Sequence, residues 1–216
     1  MICEFVTTSE ALLTYIERYY WQNEMSSSKP ALLIAGSSFV RRLERFQHDS
    51  WGENLHVNGQ RVKFLGLPGK GVQDVSRSLL EQPHGPYRMV VLHVGNNDLC
   101  RISQIPTVVV RNLLALAQQL LSAGTMQVII CQLLYRASVA HFDAGLTLSD
   151  YNARVDHTNV LLQSEIQKNA NPGVKFWFHH RGVLGSRRLD IDGIHLNSQA
   201  MINFRRSIIA ALSMSS

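Results

Sequence analysis

Hydrophobic positions along this chain follow two alternating rhythms. Short continuous apolar runs give way to stretches in which apolar residues recur every three or four positions. Ala31-Leu-Leu-Ile-Ala35 is the first such run, and it suits a strand buried on both faces. Gly36 breaks it, and Phe39, Val40 and Leu43 resume at helical spacing, so Ser37 and Ser38 fall on a strand-to-helix turn. Arg61-Val-Lys-Phe-Leu-Gly66 predicts a second strand, followed by the loop Leu67-Pro-Gly-Lys-Gly71 and a helix carrying Val72, Val75, Leu79 and Leu80. Met89-Val-Val-Leu-His-Val94 predicts a third, ending at Gly95-Asn-Asn-Asp98. A helix over 107–123 follows, stopped by Gly124. Gln127-Val-Ile-Ile-Cys-Gln-Leu-Leu134 predicts the fourth strand, 149–169 a long helix, Val174-Lys-Phe-Trp-Phe178 the fifth strand, and 198–212 the last helix.

Upstream of this pattern, Leu12, Leu13, Ile16, Tyr19 and Tyr20 mark a helix capped by Thr8 or Ser9, and Met25-Ser-Ser-Ser-Lys-Pro30 reads as a linker. The expected organisation is an N-terminal helical arm over 1–29 and one α/β domain over 30–216. Strands alternating with helices imply a parallel sheet covered on both faces. Right-handed crossovers then bring every strand end, with the loop after it, to one rim, where ligands of open α/β sheets bind. Four polar sites fall on that rim: Ser38, Gly69, Asn97 and the loop holding Asp192 and His195.

Composition narrows the picture. No apolar run approaches the ~18 residues of a membrane span. Met1–Thr8 lacks the basic cluster of a secretory leader, and three scattered cysteines, Cys3, Cys100 and Cys131, suit neither a disulfide framework nor a zinc site. A reducing, cytoplasmic setting is the expectation. The net charge is +5, with arginine pairs at Arg41-Arg42, Arg187-Arg188 and Arg205-Arg206. The pairs are dispersed and lack interleaved aromatics, so nucleic acid is a less favoured partner than a small-molecule substrate.

Chemistry follows from what the rim collects. A serine hydroxyl is a poor nucleophile until a base takes its proton. His195 is a candidate base, and Asp192, three residues before it, is placed to hold the imidazole tautomer. An oxyanion needs preorganised donors, and the Gly69 and Ser38 backbone N–H groups with the Asn97 amide offer three. Each residue also has an ordinary reading. Ser37 or Ser38 suits a helix N-cap, Asn97 and Gly69 suit turns, and His195 suits the surface. Asp190, Asp192 and His195 with His179-His180 also make a candidate metal set. Gly66-Leu-Pro-Gly-Lys-Gly71 is friendly to phosphate but lacks the Gly-Lys-Ser/Thr of a nucleotide loop.

Taken together, Gly36-Ser37-Ser38, Gly69, Gly95-Asn96-Asn97-Asp98 and Asp192-Gly193-Ile194-His195 resemble the motif set of the SGNH hydrolases, also called GDSL-like esterases and lipases. The resemblance spans about 31–212. It implies a flavodoxin-like three-layer α/β/α sandwich with a five-stranded parallel sheet in order 2-1-3-4-5. It also implies a serine esterase acting on small carboxylic esters without cofactor or metal. Ser38 would be the nucleophile, Asp192 and His195 the rest of the triad, and Ser38, Gly69 and Asn97 the oxyanion hole. One departure is visible: Ser37 stands where the family has an Asp that orders the turn, which bears on efficiency rather than on the triad. The chain is also similar to SGNH-like domains of some animal retroelement-derived proteins, which carry an Arg-rich helix after the nucleophile, as in Phe39-Val-Arg-Arg-Leu43. The alternative expectation is a weakly active or inactive binding module that keeps this fold, in association with nucleic acid.

Overall fold

The β1 strand, Leu32–Gly36, is buried along its whole length. It sits between two parallel neighbours, pairing Leu32 with Val62 of β3 (Gln60–Gly66) on one side and with Met89 of β4 (Met89–His93) on the other. A strand flanked on both edges and both faces has no polar face to show, which is why its sequence is a continuous apolar run. The computed structural model describes residues 32–52, 55–81, 87–179, 183 and 185–214. The chain divides into two units, Met1–Pro30 and Ala31–Ser216, and all of the described residues belong to the second. The expected N-terminal helix lies outside them.

Among the described residues, six strands form one sheet in the order β2-β3-β1-β4-β5-β6. They are β1, β2 (His56–Val57), β3 (Gln60–Gly66), β4 (Met89–His93), β5 (Gln127–Cys131) and β6 (Val174–Trp177). The five parallel strands have the expected order. The addition is β2, two residues long and antiparallel to β3. Asn58 and Gly59 link them at φ 52 and 73, the positive values that a tight two-residue hairpin turn demands.

Helices cover both faces. The first face carries α1 (Ser38–Trp51) and α5 (Ser198–Ser213), which bury Phe39, Val40, Leu43, Met201, Phe204 and Ile208 against Ile34, Met89, Val91 and Ile129. The second carries α2 (Val72–Glu81), α3 (Pro106–Ser122) and α4 (Leu148–Asn169), which pack Val75, Val109, Leu113, Tyr151 and Val155 on Leu33, Ala35, Val90, Leu92 and Ile130. Consecutive strand residues thus point into opposite layers. Each fully buried Leu, Ile or Phe contributes about 1.5–3 kcal/mol. The start of α4 carries a capping box, with Thr147 and Asp150 each satisfying the other's backbone N–H.

Two details set up the rim. A Cβ on Gly36 would stand 2.1 Å from the His93 carbonyl oxygen, so the end of β1 lies hard against the end of β4. The expected fourth strand stops early, at Cys131 rather than Leu134. Leu133 and Leu134 stay buried, but the Asn159 side chain takes over the backbone of Leu133, accepting from its N–H at 2.8 Å and donating to its carbonyl at 3.1 Å. An apolar run records burial, not whether a strand or a side chain satisfies the backbone. From this point the chain leaves the sheet and carries Tyr135 and Arg136 toward the rim.

Candidate active site

Ser38 is the first residue of α1, immediately beyond the end of β1. Ser37 holds the N-cap position, but its side chain makes no capping hydrogen bond, and its Oγ is buried without a partner. Capping therefore accounts for neither serine. The Ser38 Oγ lies 2.9 Å from His195 Nε2, across 157 residues of sequence.

The loop holding His195 is organised by Asp192. The Asp192 Oδ1 accepts from the backbone N–H of Ile194 at 2.8 Å and of His195 at 2.9 Å. Asp190 and His195 close the loop through a 2.7 Å backbone bond, and Leu189 bridges to Leu196. With one oxygen engaged in folding the loop, Oδ2 meets His195 Nδ1 at 2.7 Å. A carboxylate only accepts, so Asp192 keeps the ring proton on Nδ1 and leaves Nε2 to accept from the Ser38 hydroxyl. Phe39 packs behind the ring, its centroid 5.6 Å from that of His195.

The charges follow this geometry. Burial works against the Asp192 carboxylate, but hydrogen bonds from the His195 backbone and ring and from the Ile194 N–H outweigh it and hold the carboxyl well below the usual range. Burial lowers the proton affinity of His195. The hydrogen bond to Asp192 opposes that change, Arg42 and Arg136 reinforce it, and the net shift is downward. Arg42, one turn along α1 from Ser38, reaches Asp192 Oδ2 at 3.3 Å and Asp190 Oδ2 at 3.6 Å. Its neighbour Arg41 pairs with Glu44 at 2.7 Å. Both members of the first arginine pair thus have acidic partners within the domain.

On the other flank, the Asn97 Nδ2 donates to the Lys70 carbonyl at 3.0 Å, and its Oδ1 accepts from Arg136 Nη2 at 2.9 Å. The Asn97 turn is thereby tied to the Gly69 loop. Gly69 itself is exposed at φ +73, a conformation that favours glycine on backbone grounds alone. Asp98 binds away from the rim, accepting from the Val72 N–H with both oxygens at 3.1 Å, and Asn96 donates to the Leu134 carbonyl and the Tyr151 hydroxyl. Those two residues brace the turn from beneath.

The structure therefore joins Ser38, His195 and Asp192 directly, and Asn97 to the Gly69 loop through Lys70. Arg136 was not among the sequence candidates. The signal available was its place at the end of the fourth apolar run, on the same rim. Asp190 is about half exposed, and its Oδ1 caps the Ile191 N–H at 2.8 Å. His179, from the alternative metal set, is buried and meets Ser207 Oγ at 3.0 Å, while His180 lies outside the described residues. Among the described residues, no three His, Cys, Asp or Glu side chains converge as metal ligands. No helix among them is long and apolar enough to cross a membrane.

No protein-family profile and no curated protein sequence matches the chain. Solved structures do. A GDSL-like lipase from Bacteroides thetaiotaomicron superposes with a TM-score of 0.70 at 15% identity, covering 92% of this chain and 98% of its own. The chain has the SGNH-hydrolase fold. Other neighbours include a catalytic mutant of Axe2, an acetylxylan esterase from Geobacillus stearothermophilus, with a TM-score of 0.60, 14% identity, and coverage of 87% of this chain and 96% of that one. They also include TesA, with a TM-score of 0.59, 17% identity, and coverage of 84% and 97%. In this SGNH-fold chain, the stretches that resemble the family's motifs gather on one rim of the sheet.

Proposed function

We propose that this protein is a serine hydrolase of carboxylic esters, with Ser38 as nucleophile, His195 as general base and acid, and Asp192 as the group that orients and stabilises the imidazole. The observation that carries the reading is the unbroken hydrogen-bond chain from Ser38 Oγ to His195 Nε2 at 2.9 Å and from Nδ1 to Asp192 Oδ2 at 2.7 Å. The fold shared with a GDSL-like lipase and an acetylxylan esterase supports it. The reading assigns the chemistry to residues 30–216 and leaves 1–29 as an appended arm.

The steps follow from these positions. Ser38 Oγ attacks the ester carbonyl carbon while its proton passes to Nε2. The carbonyl π pair moves onto oxygen, and the oxyanion is met by the N–H groups of Ser38 and Gly69 and by the Asn97 amide. Ser38 opens α1, so its N–H is among those with no acceptor inside the helix, and the dipole there favours negative charge. The tetrahedral adduct collapses, the bond to the alcohol oxygen breaks, and the imidazolium returns the proton to that oxygen. Water then repeats the sequence on the acyl-Ser38 ester, its proton going to Nε2 and back to Ser38 as the acid departs. The low proton affinity of His195 keeps the base neutral and ready at neutral pH.

Fluorophosphonate labelling tests the proposal. The native chain is expected to be labelled, and to hydrolyse short-chain aryl esters, with both properties abolished in Ser38→Ala and largely kept in Ser37→Ala. A native chain that neither labels nor hydrolyses any aryl ester, although folded, overturns it.

A further inference from the structure

Arg136 is a cation where the fold has no obvious use for one. The residue is only 5% exposed. Its backbone is clamped on both sides by Asn152, which accepts from the Arg136 N–H at 3.1 Å and donates to its carbonyl at 3.0 Å. The guanidinium carbon lies 5.2 Å from the Tyr151 ring centroid. Nη2 donates to Asn97 Oδ1 at 2.9 Å, the guanidinium has a further polar contact with the Tyr151 side chain, and Nε and Nη1 are buried with no partner at hydrogen-bonding distance among the described residues. None of the ion pairs among the described residues includes it. A buried charge without a counter-ion is costly.

The hydrogen bond to Asn97 is informative. An amide can face either way, and its two ends are close to isosteric. A guanidinium can only donate, so Arg136 admits only the oxygen end of Asn97. The Lys70 carbonyl can only accept, so it admits only the nitrogen end. Nδ2 carries two hydrogens, and Lys70 uses one. The second remains free to serve as a donor.

We infer that Arg136 is a positioning residue of the oxyanion hole: it fixes the Asn97 amide with its free N–H toward the reacting carbonyl and lends it the field of a buried positive charge. The inference rests on the serine-hydrolase reading above. The counter-ion missing from the resting protein is one the reaction creates, since negative charge develops on the carbonyl oxygen in each tetrahedral adduct. A charge unpaired in the ground state and matched in the transition state lowers the barrier without tightening substrate binding. The same charge depresses the proton affinity of His195, as do burial and Arg42, while Asp192 opposes it.

The test compares kcat, KM and pH profiles on an aryl acetate for the native chain, Arg136→Met, Arg136→Lys, Asn97→Ala and the Asn97→Ala/Arg136→Met double variant. Arg136→Met is expected to lose kcat by on the order of tenfold or more at nearly constant KM, less than the loss of an oxyanion donor outright. Arg136→Lys, which keeps the charge without the fork, should recover part of it. The double variant should lose less than the product of the two single losses, because much of the effect of Arg136 passes through Asn97. The ascending limb of the pH profile should move to higher pH in Arg136→Met. Losses that multiply in the double variant, a rise in KM alone, or an unmoved pH limb overturn the inference. Should Arg136→Met not fold by thermal melting, Asn97→Ala/Arg136→Lys supplies the same coupling. Fluorophosphonate labelling of Ser38 separates the two levels. Native labelling with uncoupled variants sinks the role of Arg136 alone, whereas no native labelling sinks both.

Discussion

The two flanks of Ser38 are built in opposite ways. On the flank proposed for proton transfer, Asp192 and His195 stand three residues apart, and the Asp192 side chain folds the loop that aims the imidazole. On the flank proposed to hold the oxyanion, Asn97 is held by Lys70, 27 residues earlier, and by Arg136, 39 residues later. One flank is a local turn that carries its geometry within itself. The other exists only when three loops meet, so its precision depends on the packing of α2, β4 and the segment after β5. The first should fail through chemistry when altered, and the second through geometry.

The largest effect expected is on the local flank. Asp192→Asn should lower kcat by roughly 10³- to 10⁴-fold, since a misoriented imidazole is a poor base. Asp190→Asn, whose carboxylate faces solvent and Arg42, should cost little. Equal losses from both aspartates, together with inactivation by a chelator and rescue by a divalent ion, would replace the triad with a metal site. Next comes the assembled flank, where Asn97→Ala should lower kcat by on the order of 10²- to 10³-fold with KM little changed. A rise in KM with kcat intact would make Asn97 a substrate contact instead.

A smaller effect concerns pH. Because burial, reinforced by Arg42 and Arg136, lowers the proton affinity of His195, the midpoint of the ascending limb of kcat/KM should lie below that of an ordinary histidine. Arg42→Gln removes one of the charges responsible and should shift the ascending limb upward. A limb already at or above the ordinary value in the native chain would contradict the electrostatics described here.

A last effect is on stability rather than on catalysis, beneath the site. His93, at the end of β4, is fully buried beside Phe39 and Phe204, and among the described residues neither ring nitrogen has a partner beyond its own backbone. Burial lowers its pKa to about 4. The folded protein therefore binds fewer protons than the unfolded chain between that value and ~6.5. The stability tied to a neutral His93 is complete above ~6.5 and falls away as pH drops toward 4, by about 3 kcal/mol at ~1.4 kcal/mol per unit. Thermal melts at pH 8 and pH 4.5 should show a shallower acid loss in His93→Leu than in the native chain. Parallel losses in the two would assign the acid sensitivity elsewhere.

Much of this was legible in the sequence for the same reason that the flanks differ. Buried parallel strands announce themselves as continuous apolar runs, and the order of the five parallel strands is what the resemblance to the SGNH hydrolases implies. Asp192 and His195 are readable together because their geometry needs only a four-residue turn. Arg136 was not, because nothing near it in sequence says that its side chain turns inward to Asn97. Nor did the apolar pattern reveal that Asn159 would end β5 three residues early. The hairpin at Asn58-Gly59 did leave a signal, an Asn-Gly pair with apolar neighbours, but flanking segments as short as β2 carry little periodicity.

That hairpin has a further consequence for how the molecule behaves in company. A parallel sheet ending in a long open strand offers its unpaired backbone to any passing extended chain. Here β2 pairs with Gln60 and Arg61, the first two residues of the seven-residue β3, and the opposite side ends in the four-residue β6, which carries Lys175. Edge strands of two and four residues are short templates for another chain, one of the ways in which sheets limit edge-to-edge association.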